Sequence, residues 1–210
     1  MTLLGHSNFS FSIDSDWKLG FVGRNGRGKT TFMKLLLGKY EYRGHIISNI
    51  VFDYFPFEIK NQTQITEELL WEICPQAEEW EFIKELNNLK VAIDVLWRPF
   101  ETLLNGEQTK VLLAALFLKS ENFLLLDEPT NHLDVEARSH IADYLKKKKN
   151  FLLVSHDRHL LDECVDHILS INRCSIDIQQ GNFSDWLERF EKRQIHEMNK
   201  NAQIKKEINL

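Results

Sequence analysis

Between an apolar run, Leu19-Gly20-Phe21-Val22, and a helical repeat beginning at Thr30 lie eight residues that leave few folds open: Gly23-Arg24-Asn25-Gly26-Arg27-Gly28-Lys29-Thr30. They fit the pattern G-x-x-x-x-G-K-[ST], whose small residues let successive backbone N–H groups wrap around phosphate oxygens. In such a loop Lys29 neutralises the β- and γ-phosphates and Thr30 offers its hydroxyl to Mg²⁺. Phe32, Leu35 and Leu36 recur at helical spacing and Gly38 supplies a stop, so a helix points its positive end at the same anion. The four fixed positions arise by chance in roughly one chain in a hundred of this length. Their placement between strand and helix makes an accident rarer still.

A second cluster, Phe123-Leu124-Leu125-Leu126-Asp127-Glu128, puts two carboxylates directly after four apolar residues. A buried strand would deliver both acids to the carboxyl edge of a sheet, where ligands bind in open α/β folds. Asp127 suits Mg²⁺, and Glu128 suits orienting or deprotonating an attacking water. The competing reading is structural: acids favour a helix N-terminus, and Pro129 fits a first helical turn. His156 follows another apolar run, Phe151 to Val154, and so emerges at the same edge, in reach of a γ-phosphate. A zinc pair of His156 and His159 is disfavoured because no further ligand cluster is evident.

The 210 residues, 43% hydrophobic, suffice for one sizeable core with a helical appendage. A net charge of -5 leaves no general basic surface for sequence-independent nucleic-acid binding, so any such contact must be local. Lys146 to Lys149 is either that contact or a solvated helix end. Cys74, Cys164 and Cys174 form no C-x-x-C pair and read as reduced thiols. No apolar run approaches a membrane span, so no membrane insertion is expected and a soluble, cytoplasmic chain is. Phe9, Phe11 and Ile13 alternate with polar residues as a strand does. In residues 63–100, Trp71, Trp80, Phe82, Ile83, Leu86 and Leu89 recur at helical intervals, and an apolar helix runs from Gly106 to Leu118. Strands alternating with helices predict an α/β fold with a mainly parallel sheet.

Read in order, these segments resemble an ATP-binding cassette. The phosphate loop at 23–30, Thr102-Leu103-Leu104-Asn105-Gly106-Glu107-Gln108 in the signature position, Asp127-Glu128-Pro129-Thr130-Asn131-His132-Leu133-Asp134, and Ser155-His156-Asp157-Arg158 carry the resemblance. Their wording is similar to the ABC-F family, as is Gly181-Asn182-Phe183-Ser184 opening a helix. Trp17-Lys18-Leu19-Gly20, followed by the loop through Thr31, further resembles the branch giving resistance to lincosamides, pleuromutilins and streptogramin A. The resemblance implies a P-loop NTPase of the cassette fold: a cassette at 1–181 with a helical subdomain at about 61–118, and the start of an interdomain linker helix at 182–210. It implies an ATPase in which Gly23, Arg24, Asn25, Gly26, Arg27, Gly28, Lys29, Thr30 and Thr31 bind nucleotide. Thr30 and Asp127 hold Mg²⁺, Glu128 orients or deprotonates the attacking water, and His156 contacts the γ-phosphate and positions that water. Leu104, Asn105, Gly106, Glu107 and Gln108 face the nucleotide of a second cassette, supplied by a missing C-terminal half or a second copy. The paired cassettes of the family bind the ribosome.

The sequence departs from that pattern in four places. Only eight residues precede Phe9, where the family has an N-terminal strand and an adenine-stacking aromatic, so weaker adenine binding is expected. Phe57 stands where a glutamine near the metal is common, with Gln62 and Gln64 close by in sequence. Leu104 replaces a serine whose hydroxyl donates to the opposite γ-phosphate, so closure on this signature is expected to be impaired. A second set of motifs is absent, which predicts a truncated half of the machine. Two other functions therefore stand beside the ATPase: a nucleotide-binding fragment without turnover, and the nucleotide-binding subunit of a membrane transporter.

Overall fold

The computed structural model describes residues 10–23, 28–119, 122–171 and 176–208. These form a six-stranded sheet in the order β2-β3-β4-β1-β5-β6. Its strands are β1 (Lys18–Val22), β2 (Val51–Phe55), β3 (Asn122–Asp127), β4 (Phe151–Val154), β5 (His167–Ile171) and β6 (Ile176–Gln180). All neighbours are parallel except β5 and β6, which form an antiparallel pair at one edge. Helix α1 (Lys29–Leu36) follows β1. Between β2 and β3 come α2 (Thr66–Ile73), α3 (Glu79–Asn88), two short 3-10 turns and α4 (Asn105–Leu118). Helices α5 (Val135–Leu145) and α6 (Arg158–Cys164) flank β4, and α7 (Phe183–Ile208) ends the described chain.

Strand alternation divides the core in two. Leu19, Phe21, Phe123, Leu125, Leu152, Val154 and Leu169 pack with Met33 of α1 on one face. Leu124, Leu126, Phe151, Leu153 and Ile168 face the other way, onto α4, α5 and α2–α3. Because both faces are covered, the central strands read as nearly continuous apolar runs, with polar residues at or beyond their ends.

Phe11 and Ile13 do not form the strand that their alternation suggests. Phe9 lies outside the described residues, residues 10–14 form no strand, and the Phe11 ring sits 6.1 Å from Phe32 of α1. Since β4 and β5 already occupy both sides of β1, the preceding segment has no edge of β1 to join. Trp80, expected on an apolar helical face, is 57% exposed, while Phe82 and Leu86 of α3 are buried. Cys74 and Cys164 are buried thiols, and burial pushes Cys164 up to about 12; Cys174 lies outside the described residues.

The helical segment is tied to the sheet by one buried polar cluster. Glu85 of α3 accepts from the Tyr144 hydroxyl of α5 and pairs with Lys148 at 2.6 Å, and the Lys148 ammonium lies 4.7 Å from the Tyr144 ring centre. Lys146 pairs with Glu163 at 3.1 Å, so two of the lysines in the 146–149 run are matched by acids. Burial and the Glu85 carboxylate push the Tyr144 hydroxyl well above the ordinary phenol range, so it remains a donor. Glu85→Ala orphans that buried hydroxyl and is expected to cost about 1–3 kcal/mol, seen as a lowered urea midpoint with an unchanged slope.

Candidate nucleotide-binding site

The carboxyl ends of β1, β3 and β4 lie side by side, and the polar residues that follow them converge there. Strand β1 ends at Val22, and an added Cβ at Gly23 would meet the Ile171 carbonyl oxygen at 3.3 Å, so the loop leaves the sheet through a narrow gap. Arg24, Asn25, Gly26 and Arg27 lie outside the described residues. The chain is picked up again at Gly28, whose φ of 93° places it in the left-handed region that glycine tolerates. Helix α1 then begins with no acid in its first turn and, among the described residues, no side chain capping it, so its N-terminal N–H groups are left without a side-chain partner. The Lys29 ammonium turns back onto the loop, donating to the Gly23 carbonyl at 2.8 Å.

Asp127 shares the strand parity of Phe123 and Leu125 and therefore points to the α1 side. There the Thr30 hydroxyl donates to Asp127 Oδ2 at 3.1 Å. The phenol of Tyr54, one strand away on β2, donates to the same oxygen at 2.9 Å. Burial, and then Asp127 itself, push that phenol above the ordinary tyrosine range, so it stays protonated. Tyr54 was not singled out by the sequence. Its only signal there is the alternation of Phe52 and Tyr54 across Asp53, and the register that sets Tyr54 beside Leu125 spans 71 positions of chain.

Glu128 sits just past β3 with a φ of 54°, uncommon for a residue with a side chain, held by its N–H donating to the Val154 carbonyl at 2.9 Å. Its Oε2 accepts the His156 backbone N–H at 3.2 Å. Its Oε1 is buried and accepts no hydrogen bond from the described residues, with His156 Nε2 3.4 Å away. Burial raises the Glu128 carboxyl above the ordinary range, opposed by the His156 N–H. The chain after Pro129 makes turns, and α5 starts only at Val135, capped by Asp134 accepting from the Ala137 N–H at 2.7 Å. The competing reading, in which the two acids and Pro129 serve a helix start, is not what the chain forms. A concave space of about 510 Å³, bordered by Glu128, Asn131, Arg138, Ser155 and His156 among others, opens beside this turn.

The signature segment lies elsewhere. Leu104 is 72% exposed and occupies the N-cap of α4, where Glu107 Oε2 accepts its N–H at 2.9 Å. That is half of a capping box, since leucine has no oxygen to take a helix N–H in return. Asn105 is exposed, and Gln108 donates to the Phe100 carbonyl at 3.0 Å. A Cβ at Gly106 would make only ordinary contact with Ala137, at 3.5 Å, so internal packing does not demand glycine there. Phe57 packs against the core on the helical side, and Gln64 donates to Glu72 at 3.4 Å, away from Asp127.

This architecture defines a P-loop nucleotide-binding domain. The family model described as "ABC transporter" matches residues 6–131, more than half of the chain, and the chain belongs to that family as an ATP-binding cassette. It is 30% identical over 206 residues to the putative ATP-binding protein YdiF of Bacillus subtilis (strain 168), covering 94% of this chain and 32% of that protein. It is 30% identical over 187 residues to ATP-binding cassette sub-family F member 3 of Mus musculus, covering 86% and 26%. A solved complex of the archaeal ribosomal stalk protein aP1 with the archaeal ribosome recycling factor aABCE1 matches with a TM-score of 0.65 and 30% identity, over 83% of this chain and 36% of that one. The chain thus spans about a third of the length of these relatives. Among the described residues no helix is long and apolar enough to cross a membrane.

Two measurements check this geometry. Leu104→Ser completes the cap of α4 and is expected to raise stability by about 0.5–2 kcal/mol in chemical denaturation. Glu128→Gln removes a carboxylate whose ionisation the fold opposes. In the parent chain that penalty is absent in acid and complete once pH has risen past the raised folded-state value, so Glu128→Gln should melt higher at neutral pH. The gain should vanish as pH falls below the ordinary carboxylate range.

Proposed function

We propose that this cassette binds Mg-ATP at the carboxyl edge of β1, β3 and β4 and hydrolyses it when a second cassette closes over the site. The observation that carries the reading is the meeting of Thr30 and Asp127 across 97 residues of chain, at the foot of a helix that no side chain of the described residues caps. A hydroxyl and a carboxylate are hard oxygen donors of the kind that share a hydrated Mg²⁺ with nucleotide phosphates. Bound there, the cation would neutralise charge on the β- and γ-phosphates. The chain's own residues do the rest. Lys29 exchanges the Gly23 carbonyl for phosphate oxygens, and the loop through Arg24, Asn25, Gly26, Arg27 and Gly28 supplies N–H donors, with Thr31 behind it in the first turn of α1.

Glu128 is fitted to the water. Its buried Oε1 accepts no hydrogen bond from the described residues, with His156 Nε2 3.4 Å away, and a water molecule placed there would satisfy it while being oriented, or deprotonated, for attack. A carboxyl raised by burial is a stronger base once ionised than a solvated one. His156, largely exposed, is free to turn its ring to the γ-phosphate while its backbone holds Glu128.

Gly106 supports pairing: with no internal demand for glycine, a close approach by a partner's nucleotide accounts for it. Leu104, Asn105, Gly106, Glu107 and Gln108 then cover the second cassette's site, although Leu104 brings no donor. The relatives in sub-family F, and a similar chain solved with a ribosomal stalk protein, support a cytoplasmic, ABC-F-type role with the ribosome as partner. The residues Trp17 to Gly20 are what favours the antibiotic-resistance branch. In that reading 1–181 is the cassette, 61–118 its helical subdomain and 182–210 the base of a linker. The missing donor at Leu104 favours a second reading, in which the chain binds nucleotide without turning it over.

Calorimetric titration with Mg-ATP distinguishes them when read beside turnover. Binding that Lys29→Ala abolishes is expected. Turnover should rise with protein concentration or with an added partner cassette, be lost in Glu128→Gln, and rise further in Leu104→Ser. Binding without turnover at any concentration selects the second reading, and no binding by the folded chain overturns both.

A further inference from the structure

Strand β2 also reaches the cradle, and the proposed mechanism gives it nothing to do. Phe57, just beyond its end, has no oxygen and packs into the core on the opposite side. Tyr54 differs. Its ring packs on the α1 side, against the cluster that holds Phe123, Leu125 and Met33, and its hydroxyl reaches Asp127 Oδ2 at 2.9 Å. Thr30 reaches the same oxygen at 3.1 Å, while no donor from the described residues reaches Oδ1.

A free aspartate side chain turns about two bonds, and a cation or its water shell would have to fix it at an entropic cost. Here two hydroxyls of different stiffness share one oxygen. Thr30 is exposed, in the first turn of α1. Tyr54 is half-buried on a strand whose pairing with β3 runs from Val51 to Phe55. The tyrosine is therefore the donor that can hold the carboxylate whether or not nucleotide is present, with Oδ1 left without a donor from the described residues.

Resting on the Mg-ATP reading above, we propose that Tyr54 is a positioning residue of the metal site: its hydroxyl pins Asp127 Oδ2 and presents Oδ1 to the hydrated cation. It touches neither nucleotide nor reacting atoms. Its influence falls on the coupling between Mg²⁺ and ATP, because Asp127 matters to nucleotide binding only when the metal is there. Groups that bind phosphate directly, such as Lys29, act with or without it.

The experiment is a calorimetric titration of ATP into the full chain, with Mg²⁺ and with EDTA, for the unsubstituted protein and for Tyr54→Phe, which keeps the ring. Mg²⁺ should tighten ATP binding to the unsubstituted chain. In Tyr54→Phe that tightening should shrink by about tenfold, while affinity in EDTA stays within about twofold. A general loss of structure would weaken both conditions alike and would overturn the proposal, as would an undiminished Mg²⁺ effect. An unsubstituted chain whose ATP binding ignores Mg²⁺ would overturn the parent reading, and this one with it. Should Tyr54→Phe not melt cooperatively, the unsubstituted sequence labelled with 3-fluorotyrosine serves instead. It has four tyrosines, Tyr40, Tyr42, Tyr54 and Tyr144, assignable by Tyr→Phe changes at the other three positions. The Tyr54 fluorine resonance should shift between ATP with EDTA and ATP with Mg²⁺. An unmoved resonance would count against the assignment of Tyr54 to the metal site.

Discussion

Parallel strands buried on both faces have one place to put polar chemistry, the edge where they run out of neighbours. In this chain β1, β4 and β3 are adjacent and end in step, with Val22, Val154 and Asp127 as their last residues. Everything that follows them must emerge into the same narrow region: the glycine loop, the Glu128 turn and the Ser155-His156 segment. Period-two alternation then decides which side each residue faces. Asp127 and Tyr54 fall on the α1 side with Thr30, and Phe57 falls on the helical side with the core. The site is a consequence of strand parity before it is a matter of individual residues.

That parity explains why so much of the fold is legible in the sequence. The β1–loop–α1 unit and the apolar run ahead of Asp127-Glu128 each announce themselves within eight or so residues, and the α/β cassette fold follows from their order. Local signals failed where the competing force was non-local. Phe9 to Ile13 has a strand's alternation, but both sides of β1 are occupied, which only the strand order reveals. Pro129 suits a helix start, yet the Glu128 N–H is drawn to Val154, and the chain turns until Asp134 can cap α5. Trp80 has the right spacing for a core position and is left outside because Phe82 and Leu86 already fill it. Tyr54 was invisible for the same reason: a tyrosine on an edge strand carries no mark of the carboxylate it will meet.

Leu104 is the reverse case, a residue whose oddity was plain in the sequence and whose surroundings the structure adds. The leucine is neither buried nor packed into a pocket that would account for it; it stands at the head of α4 with its N–H held by Glu107. A helix start of this kind is stable enough to form, since α4 buries Val111 to Leu116 against the sheet. What the leucine withholds is an outward-facing hydrogen-bond donor.

Helix α7 is anchored near its base. Ser184 donates twice to Asp162 of α6, Arg189 to the Gln180 carbonyl, and Arg193 pairs with Asp177 at 3.2 Å, while Trp186 and Phe190 stack beside them. Further along, Ile195 and Met198 are exposed. Its 26 residues form a rod about 39 Å long. A pivot of about 5° where it meets α6 would sweep the far end through about 3 Å, roughly the thickness of one layer of atoms, for a displacement of only tenths of an ångström at Asp162. Helix α6 begins two residues after His156, so the anchor of the rod lies within one short helix of the turn that borders the candidate site.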